Sequence, residues 1–260
     1  VDLHEVLRSL RDGKIGVEEA AAKIRLSAVK EVEGACLDVS REARKDVPEI
    51  VFAEGKSFED LLKITQVFYS ETGRVIITRI SDANASEIKK IFRAKAEILH
   101  SKKGRIMVIK SASRIKGNAE KLGSVALLTA GTADIAIAEE VKMVLEEMGC
   151  RVHAFYDIGI AGMHRLFPAI KKSLKEDVDA MVVIAGMEGA LPSIVSSLVA
   201  VPVIGVPSSA GYGLGGKGEG ALISMLQSCS PGLVVVNIDN GVGAAVAAAL
   251  ISKKVRNPRE

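Results

Sequence analysis

One pattern recurs along the second half of the chain and leaves few architectures open: an apolar run, a turn containing Gly or Asp, then helix-competent sequence. Val125–Leu128, Val152–Phe155, Ala180–Ile184 and Val203–Val206 each follow it, and a fifth run, Leu233–Ile238, ends at Asp239-Asn240-Gly241 before an Ala-rich stretch. Short runs of this kind, without polar alternation, suit strands buried on both faces. The helical segments between them supply the cover. The expectation is an α/β fold: a mostly parallel C-terminal sheet flanked by helices, with a smaller N-terminal α/β and helical region. Ligands of open α/β sheets bind beyond the C-terminal ends of the strands, so the turns after each run are the place to look for chemistry.

Upstream the pattern is different. Leu3, Val6, Leu7 and Leu10 fall on one helical face, Gly13 to Gly16 interrupts, and Val17, Ala20, Ala21 and Ile24 resume it. Residues 1–30 therefore read as a helical hairpin. Leu37 to Lys56 is polar and mixed in charge; it reads as a surface connection or as a ligand-facing segment, since Arg41 and Arg44 suit phosphates or carboxylates. Ser57, with Asp60 three residues on, starts a helix running to about Tyr69. Strands at Val75–Ile77 and Ile106–Ile109 flank a helical pattern from Ala85 to Leu99. The expected division is residues 1–30, a small α/β domain over 31–123 that contacts substrate, and a catalytic α/β domain over 124–260.

Composition narrows the function classes. The 260 residues are 48% hydrophobic, with no Trp and three Tyr, and a net charge of +3 is spread along the chain. A surface for a nucleic acid polymer needs concentrated basic charge and stacking aromatics, and this chain has neither. Cysteines at 36, 150 and 229 are odd in number and form no CxxC pair, which argues against a disulfide framework or a four-ligand zinc site and for a reducing cytoplasm. The polar first residues do not resemble a signal peptide, and the apolar runs are broken before membrane-spanning length. No membrane association is expected.

Each turn has a bland and a sharp reading. Thr129-Ala-Gly131-Thr132-Ala133-Asp134 opens a helix from Ile135 to about Met148, where small residues and free amides suit an anion; Asp134 is a ligand contact or a helix cap. Neither GxxxxGK[ST] nor a GxGxxG at the head of a βαβ unit is present. Asp157 and His164-Arg165 follow the second run, as a possible ionisable ring beside an anion-binding guanidinium or as ordinary surface. Glu188 sits among small residues, either a base or acid facing a pocket or a carboxylate at a helix start. The longest Gly-rich loop carries Gly211, Tyr212, Gly213 and Lys217; a lid or an amide-lined cradle accounts for so many glycines, with Lys217 as an anion partner. On the residues alone, Cys229 reads as a buried inert thiol rather than a nucleophile, and Cys36 and Cys150 read as structural.

Taken together, Leu37-Asp38 through Lys56, Ala130 to Asp134 with Ala138-Glu139-Glu140, Asp157 to Leu166, Gly186 to Pro192, Gly211-Tyr212-Gly213 and Ser228-Cys229 through Gly241 resemble the pyridinium-3,5-biscarboxylic acid mononucleotide synthases of nickel-pincer nucleotide biosynthesis, which serve lactate racemase maturation. The C-terminal part is also similar to the carboxyaminoimidazole ribonucleotide mutases, through Gly162-Met163-His164-Arg165 and Ala185-Gly186. The segment Asp38-Val39-Ser40-Arg41 lacks the histidines associated with that stretch of the synthases.

The resemblance implies nicotinic acid adenine dinucleotide as substrate, CO2 or bicarbonate as co-substrate, and release of AMP. It makes Cys229 the nucleophile and Glu188 the pocket carboxylate, reversing the local reading of Cys229. A thiolate adding at ring C4 would make C5 nucleophilic toward CO2, and Glu188 would then remove the C5 proton. The candidate substrate-binding residues are Asp38, Arg41, Arg44, Lys56, Gly131, Thr132, Asp134, Asp157, His164, Arg165, Gly211, Tyr212, Gly213, Lys217, Asp239 and Asn240. Asp134, Asp157 and Asp239 are the candidates to orient water or Mg2+ for phosphoanhydride hydrolysis. A homo-octamer is implied as well. The competing expectations are mutase-like CO2 transfer and a non-catalytic nucleotide-binding assembly protein.

Overall fold

The computed structural model describes residues 3–27, 29–32, 35–112 and 123–257. The chain divides into two compact units, Val1–Leu99 with Met107–Gly117, and His100–Ile106 with Asn118–Glu260.

In the first unit, α1 (Leu3–Arg11) and α2 (Val17–Ser27) pack on each other as a hairpin. Strands β1 (Lys30–Val32) and β2 (Ala35–Leu37) pair antiparallel. The stretch from Leu37 to Lys56, expected as a connection, holds a short helix α3 (Arg41–Lys45) and strand β3 (Ile50–Phe52). Three apolar residues are too few to show a period, but Val51 is buried and β3 pairs parallel with β4 (Arg74–Thr78). Helix α4 (Phe58–Thr72) starts where its cap predicts: Asp60 N donates to Ser57 Oγ at 3.1 Å.

Helix α5 (Asp82–Phe92) stops seven residues short of the expected Leu99, and Glu97–Ser101 is strand β5 beside β6 (Ile106–Lys110). Ile98 and Leu99 fit the helical spacing, but pairing in the sheet overrides so short a signal. The sheet order is β3-β4-β6-β5, with α4 and α5 burying Leu61, Ile64, Phe68, Ala85, Ile88 and Phe92 against Val75, Ile77, Met107 and Ile109.

The second unit is a five-stranded sheet in the order β11-β10-β9-β7-β8, with every pairing parallel. Its strands are β7 (Gly123–Thr129), β8 (Cys150–Phe155), β9 (Ala180–Ala185), β10 (Val203–Pro207) and β11 (Leu233–Val235). Every residue of β7, β9 and β10 is buried, which is why these segments read as unbroken apolar runs. On one face, α7 (Leu166–Lys175), α8 (Leu191–Leu198) and α9 (Glu219–Leu226) bury Leu166, Ile170, Leu191, Val195, Ala221 and Met225 against Ala126, Leu128, Met181 and Val183. The alternate strand residues are equally buried, under α6 (Ile135–Glu147) and α10 (Gly241–Arg256), which pack on each other and on β7. Full burial of each such Val, Leu or Ile contributes about 1.5–3 kcal/mol.

The Ala-rich helix α10 is thus an internal element: Ala244, Ala245, Ala248 and Ala249 are fully buried. The last strand ends at Val235 rather than Ile238, as the Asn237 side chain accepts the Ile238 N–H at 2.9 Å and turns the chain out of the ladder. Among the described residues no helix is long and apolar enough to cross a membrane.

The N-terminal edge of this sheet is closed by one buried carboxylate. Asp179 accepts from Ser124 N at 2.8 Å, from the Ser252 hydroxyl, and from Arg256 Nε at 2.7 Å, tying α10 to β7 and β9. Truncation to Ala would remove one acceptor from three donors at once. Asp179→Ala is expected to cost about 3 kcal/mol, read as a lowered denaturant midpoint, with a smaller loss for Asp179→Asn; an unchanged midpoint in Asp179→Ala would refute this role.

Candidate active site

Beyond the strands' C-terminal ends the ladder continues one step into the turns. Ala130 N donates to Ile184 O, Ile158 N to Thr129 O, Ser208 N to Ala185 O, and Asp239 N to Pro207 O, all at 2.9–3.0 Å. The strand tips are therefore held side by side. Three of the turns pass through a left-handed non-glycine residue, Asp157 at φ 55°, Met187 at φ 52° and Asp239 at φ 55°, a conformation costing about 1–3 kcal/mol that persists only where neighbours enforce it. Close backbone approach explains two glycines. A β-carbon at Gly159 would lie 2.6 Å from Ala130 O, and one at Gly186 would collide with Ala210 O.

Between these turns lies a cavity of about 610 Å3, walled by Ala130, Gly131, Ala133 and Asp134, by Gly159 to Ala161, by Ala185 to Glu188 with Ala190 and Leu191, and by Ala210 to Tyr212. It opens where β7 and β9 adjoin, the point at which the winding reverses, as expected for a sheet of this order. Its walls are mostly Ala, Gly, Ile160, Met187 and Leu191. Among the described residues on those walls the charged side chains are Asp134 and Glu188, and there is no cation.

Asp134 is buried, and its Oδ2 accepts from Gly131 N at 2.8 Å. Burial pushes its carboxyl above the ordinary range, against hydrogen bonds from Gly131 and the Ser208 hydroxyl and with added repulsion from Asp239. Glu188 is exposed at the rim, as is Tyr212. The structure thus brings Gly131, Asp134, Glu188, Gly211 and Tyr212 to one cavity.

The other expected residues lie elsewhere or are already occupied. Thr132 is exposed beside Gly131. Asp157 holds Arg165 at 2.8 Å, so that guanidinium is paired within its own turn, and His164 is exposed. Gly213 and the exposed Lys217 lie further along the Gly-rich loop, off the cavity wall. Asp239 accepts from Ser209 N at 2.8 Å, and Asn240 caps α10 through Gly243 N at 2.8 Å. In the first unit, Asp38 binds Arg44 at 2.7 Å and Arg41 at 3.3 Å, and Arg41 also meets Glu49 at 2.6 Å. Burial raises the Asp38 carboxyl, but the hydrogen bonds from Arg44 and Arg41 outweigh it and hold the group below its usual range. Lys56 is exposed.

Cys229 corrects the reading made from residues alone. It is exposed, not buried, on a loop pinned to the first turn of α8, where Ser230 Oγ donates to Ser193 O at 2.9 Å. It does not line the cavity. Cys36 is also exposed, whereas Cys150 is buried and burial raises its thiol pKa, as suits an inert core residue.

Among the described residues no group of three or more His, Cys, Asp or Glu could hold a metal ion, and Asp134, Asp157 and Asp239, the candidates to orient water or Mg2+, each engage protein donors. Sequence reasoning also missed Ser208, buried directly behind the cavity wall. Its only signal was its place at the end of an apolar run.

The chain matches two family models in sequence: the LarB/PurE-like N-terminal domain over residues 29–112 and AIR carboxylase over residues 124–257. It is 43% identical over 255 residues to an uncharacterised protein of Methanocaldococcus jannaschii, an alignment covering 97% of each chain. Its second half is 32% identical over 127 residues to the N5-carboxyaminoimidazole ribonucleotide mutase of the same organism, covering 48% of this chain and 75% of the mutase. The corresponding mutase of Pyrococcus horikoshii is 33% identical over 135 residues, covering 49% of this chain and 71% of that protein. With the two domains matched in this order and the cavity at the strand tips of the second, the chain belongs to the pyridinium-3,5-biscarboxylic acid mononucleotide synthase (LarB) family of nickel-pincer nucleotide biosynthesis, with a mutase-like C-terminal domain.

Proposed function

We propose that this enzyme carboxylates the pyridinium ring of nicotinic acid adenine dinucleotide at C5 and hydrolyses its phosphoanhydride, releasing AMP and pyridinium-3,5-biscarboxylic acid mononucleotide. The observation that carries this reading is the charge of the cavity: apolar walls, two carboxylates, one aromatic ring and no wall cation. At about 4 Å and an effective dielectric constant of about 20, one carboxylate attracts a fixed positive charge by roughly 4 kcal/mol before desolvation is counted. A pyridinium ring gains that attraction and a neutral imidazole does not. The amides at the start of α6, the 13-residue helix after the Gly131 turn, suit the phosphates.

The chemistry follows from the ring. A pyridinium is electrophilic and cannot attack CO2, so the Cys229 thiolate adds at C4 and converts it to a neutral dihydropyridine. C5, now the nucleophilic end of an enamine, forms a bond to CO2 and leaves an iminium. Glu188 takes the C5 proton, and expulsion of the thiolate from C4 restores the aromatic cation. Water cleaves the phosphoanhydride in a separate step. Both side chains that the ring steps need are exposed, Glu188 on the cavity rim and Cys229 on the loop pinned to the helix that follows it. The family resemblance adds a homo-octamer to the reading, to be checked by light scattering.

Incubation with nicotinic acid adenine dinucleotide and labelled bicarbonate is expected to give labelled mononucleotide and AMP in equal amounts. Absence of label from the ring overturns the assignment, and turnover of carboxyaminoimidazole ribonucleotide in its place would make the protein a mutase. Cys229→Ala is expected to abolish product, and without CO2 the wild type should show a substrate adduct at Cys229 by intact mass. Glu188→Gln should lower kcat by about 10²- to 10⁴-fold.

Tyr212 offers a separate check on the cationic ring. A Tyr face within reach of a pyridinium contributes cation–π attraction, so Tyr212→Leu is expected to raise KM by about 2- to 30-fold while Tyr212→Phe stays near wild type. Equal KM values in all three would remove the ring from this end of the cavity.

A further inference from the structure

The cavity holds one of the two side chains that the ring chemistry needs and lacks the other. Glu188 stands on its rim, while Cys229 is exposed and lines no part of it. Topology explains the separation. Cys229 follows α9 and precedes β11, so its loop enters the sheet at the N-terminal end of the strands, where Gly232 O accepts Val203 N, at the first residue of β10, at 3.0 Å. The cavity lies at the other end, where Pro207 O, at the last residue of β10, accepts Asp239 N at 2.9 Å. Four strand steps of about 3.3 Å each separate the two levels. The first turn of α8 also intervenes. Its Leu191 is buried against the cavity, whereas Ser193 O, two residues on, holds the Ser230 hydroxyl at 2.9 Å. A Cys side chain, one carbon long, does not span that distance from a loop pinned at both points.

We infer that the nucleophile is supplied in trans: the Cys229 loop of a second copy of this chain closes over the cavity, and a complete site contains Glu188 of one protomer and Cys229 of the partner subunit. The inference rests on the proposed carboxylation, which requires both groups at one ring. The surfaces suit that occupant. Ile223 and Leu226, one helical turn apart on α9, and Leu198 at the end of α8 are large apolar side chains left exposed on the two helices that flank the Cys229 loop. Met187 and Tyr212 on the cavity wall, with Leu214 beside them in the Gly-rich loop, are exposed as well. Such apolar surfaces mark contact sites, and a copy that brings the first onto the second covers both while delivering the thiol. The loop from Ser228 to Gly232 is small and uncharged, so it approaches the two wall carboxylates without repulsion. In a closed symmetric assembly the same contact repeats, and every cavity gains one Cys229.

Coexpression of Cys229→Ala with Glu188→Gln, each under its own tag, tests this. Each variant alone is nearly inactive, but in mixed oligomers a cavity with native Glu188 meets native Cys229 of the partner subunit. In a random equal mixture about one cavity in four is complete, so carboxylation of nicotinic acid adenine dinucleotide should return to about a quarter of the wild-type rate. No return of activity where both tags copurify overturns the inference, since a site built within one chain never regains both groups. A second measurement needs no turnover. In a Cys36→Ser background, a short bis-maleimide should join the Tyr212→Cys variant through Cys229 into a covalent dimer on a denaturing gel, and adding Cys229→Ser should abolish that dimer. A link within one monomer overturns the inference, as does the absence of any dimer that depends on Cys229. If the wild type does not carboxylate the dinucleotide, the proposed reaction falls, and the cross-link still decides which chain brings Cys229 to the cavity.

Discussion

Burial of the second sheet on both faces is the constraint from which the site follows. With β7, β9 and β10 enclosed by helices along their whole length, an ionisable group on the strands would pay a large desolvation cost without a partner. Chemistry can therefore stand only at the ends of the strands. The two ends are treated differently. The N-terminal end holds Asp179, with donors from Ser124, Ser252 and Arg256, and is sealed. The C-terminal end holds Asp134 and Glu188 around an open cavity.

That cavity is shaped by backbone more than by side chains. Because one strand tip hydrogen-bonds the next, the turns converge until Gly159 touches Ala130 and Gly186 touches Ala210. Turning sharply enough to do so places Asp157, Met187 and Asp239 in left-handed conformations. A rigid site results, since each strained residue is flanked by hydrogen bonds that would break if it relaxed. Asp134 lies buried among these turns, where its Oδ2 accepts the Gly131 N–H and burial raises its carboxyl above the ordinary range.

Much of this was legible in the sequence, and the reasons divide cleanly. The parallel sheet announced itself because residues buried on both faces leave no polar interruption, and the Ser57 cap was visible because its partner lies three residues away. The errors fall where local signal is short. Ile50–Phe52 became a strand through pairing with β4, which no local window contains, and Glu97–Ser101 through pairing with the adjacent β6, which overrides its helical spacing. In the site, Gly131, Asp134, Glu188, Gly211 and Tyr212 were identifiable from their place after apolar runs. Ser208 was not, because its burial is set by neighbours distant in sequence, such as Ala185 at the end of β9. The exposure of Cys229 was equally hidden, since a single Cys between two Ser residues carries no periodicity from which to infer burial.

The distribution of cations also had to await the structure. Sequence reasoning placed Arg41, Arg44, Arg165 and Lys217 as anion partners by residue type alone. Arg165 is paired with Asp157, and Arg41 and Arg44 with Asp38, so their charge is already balanced locally. Lys217 lies off the wall. What remains facing the cavity is negative charge at Asp134 and Glu188, backed by apolar surface. A ligand that brings a fixed positive charge on a flat apolar ring meets all of those conditions at once, whereas its phosphates must find backbone amides at the helix starts.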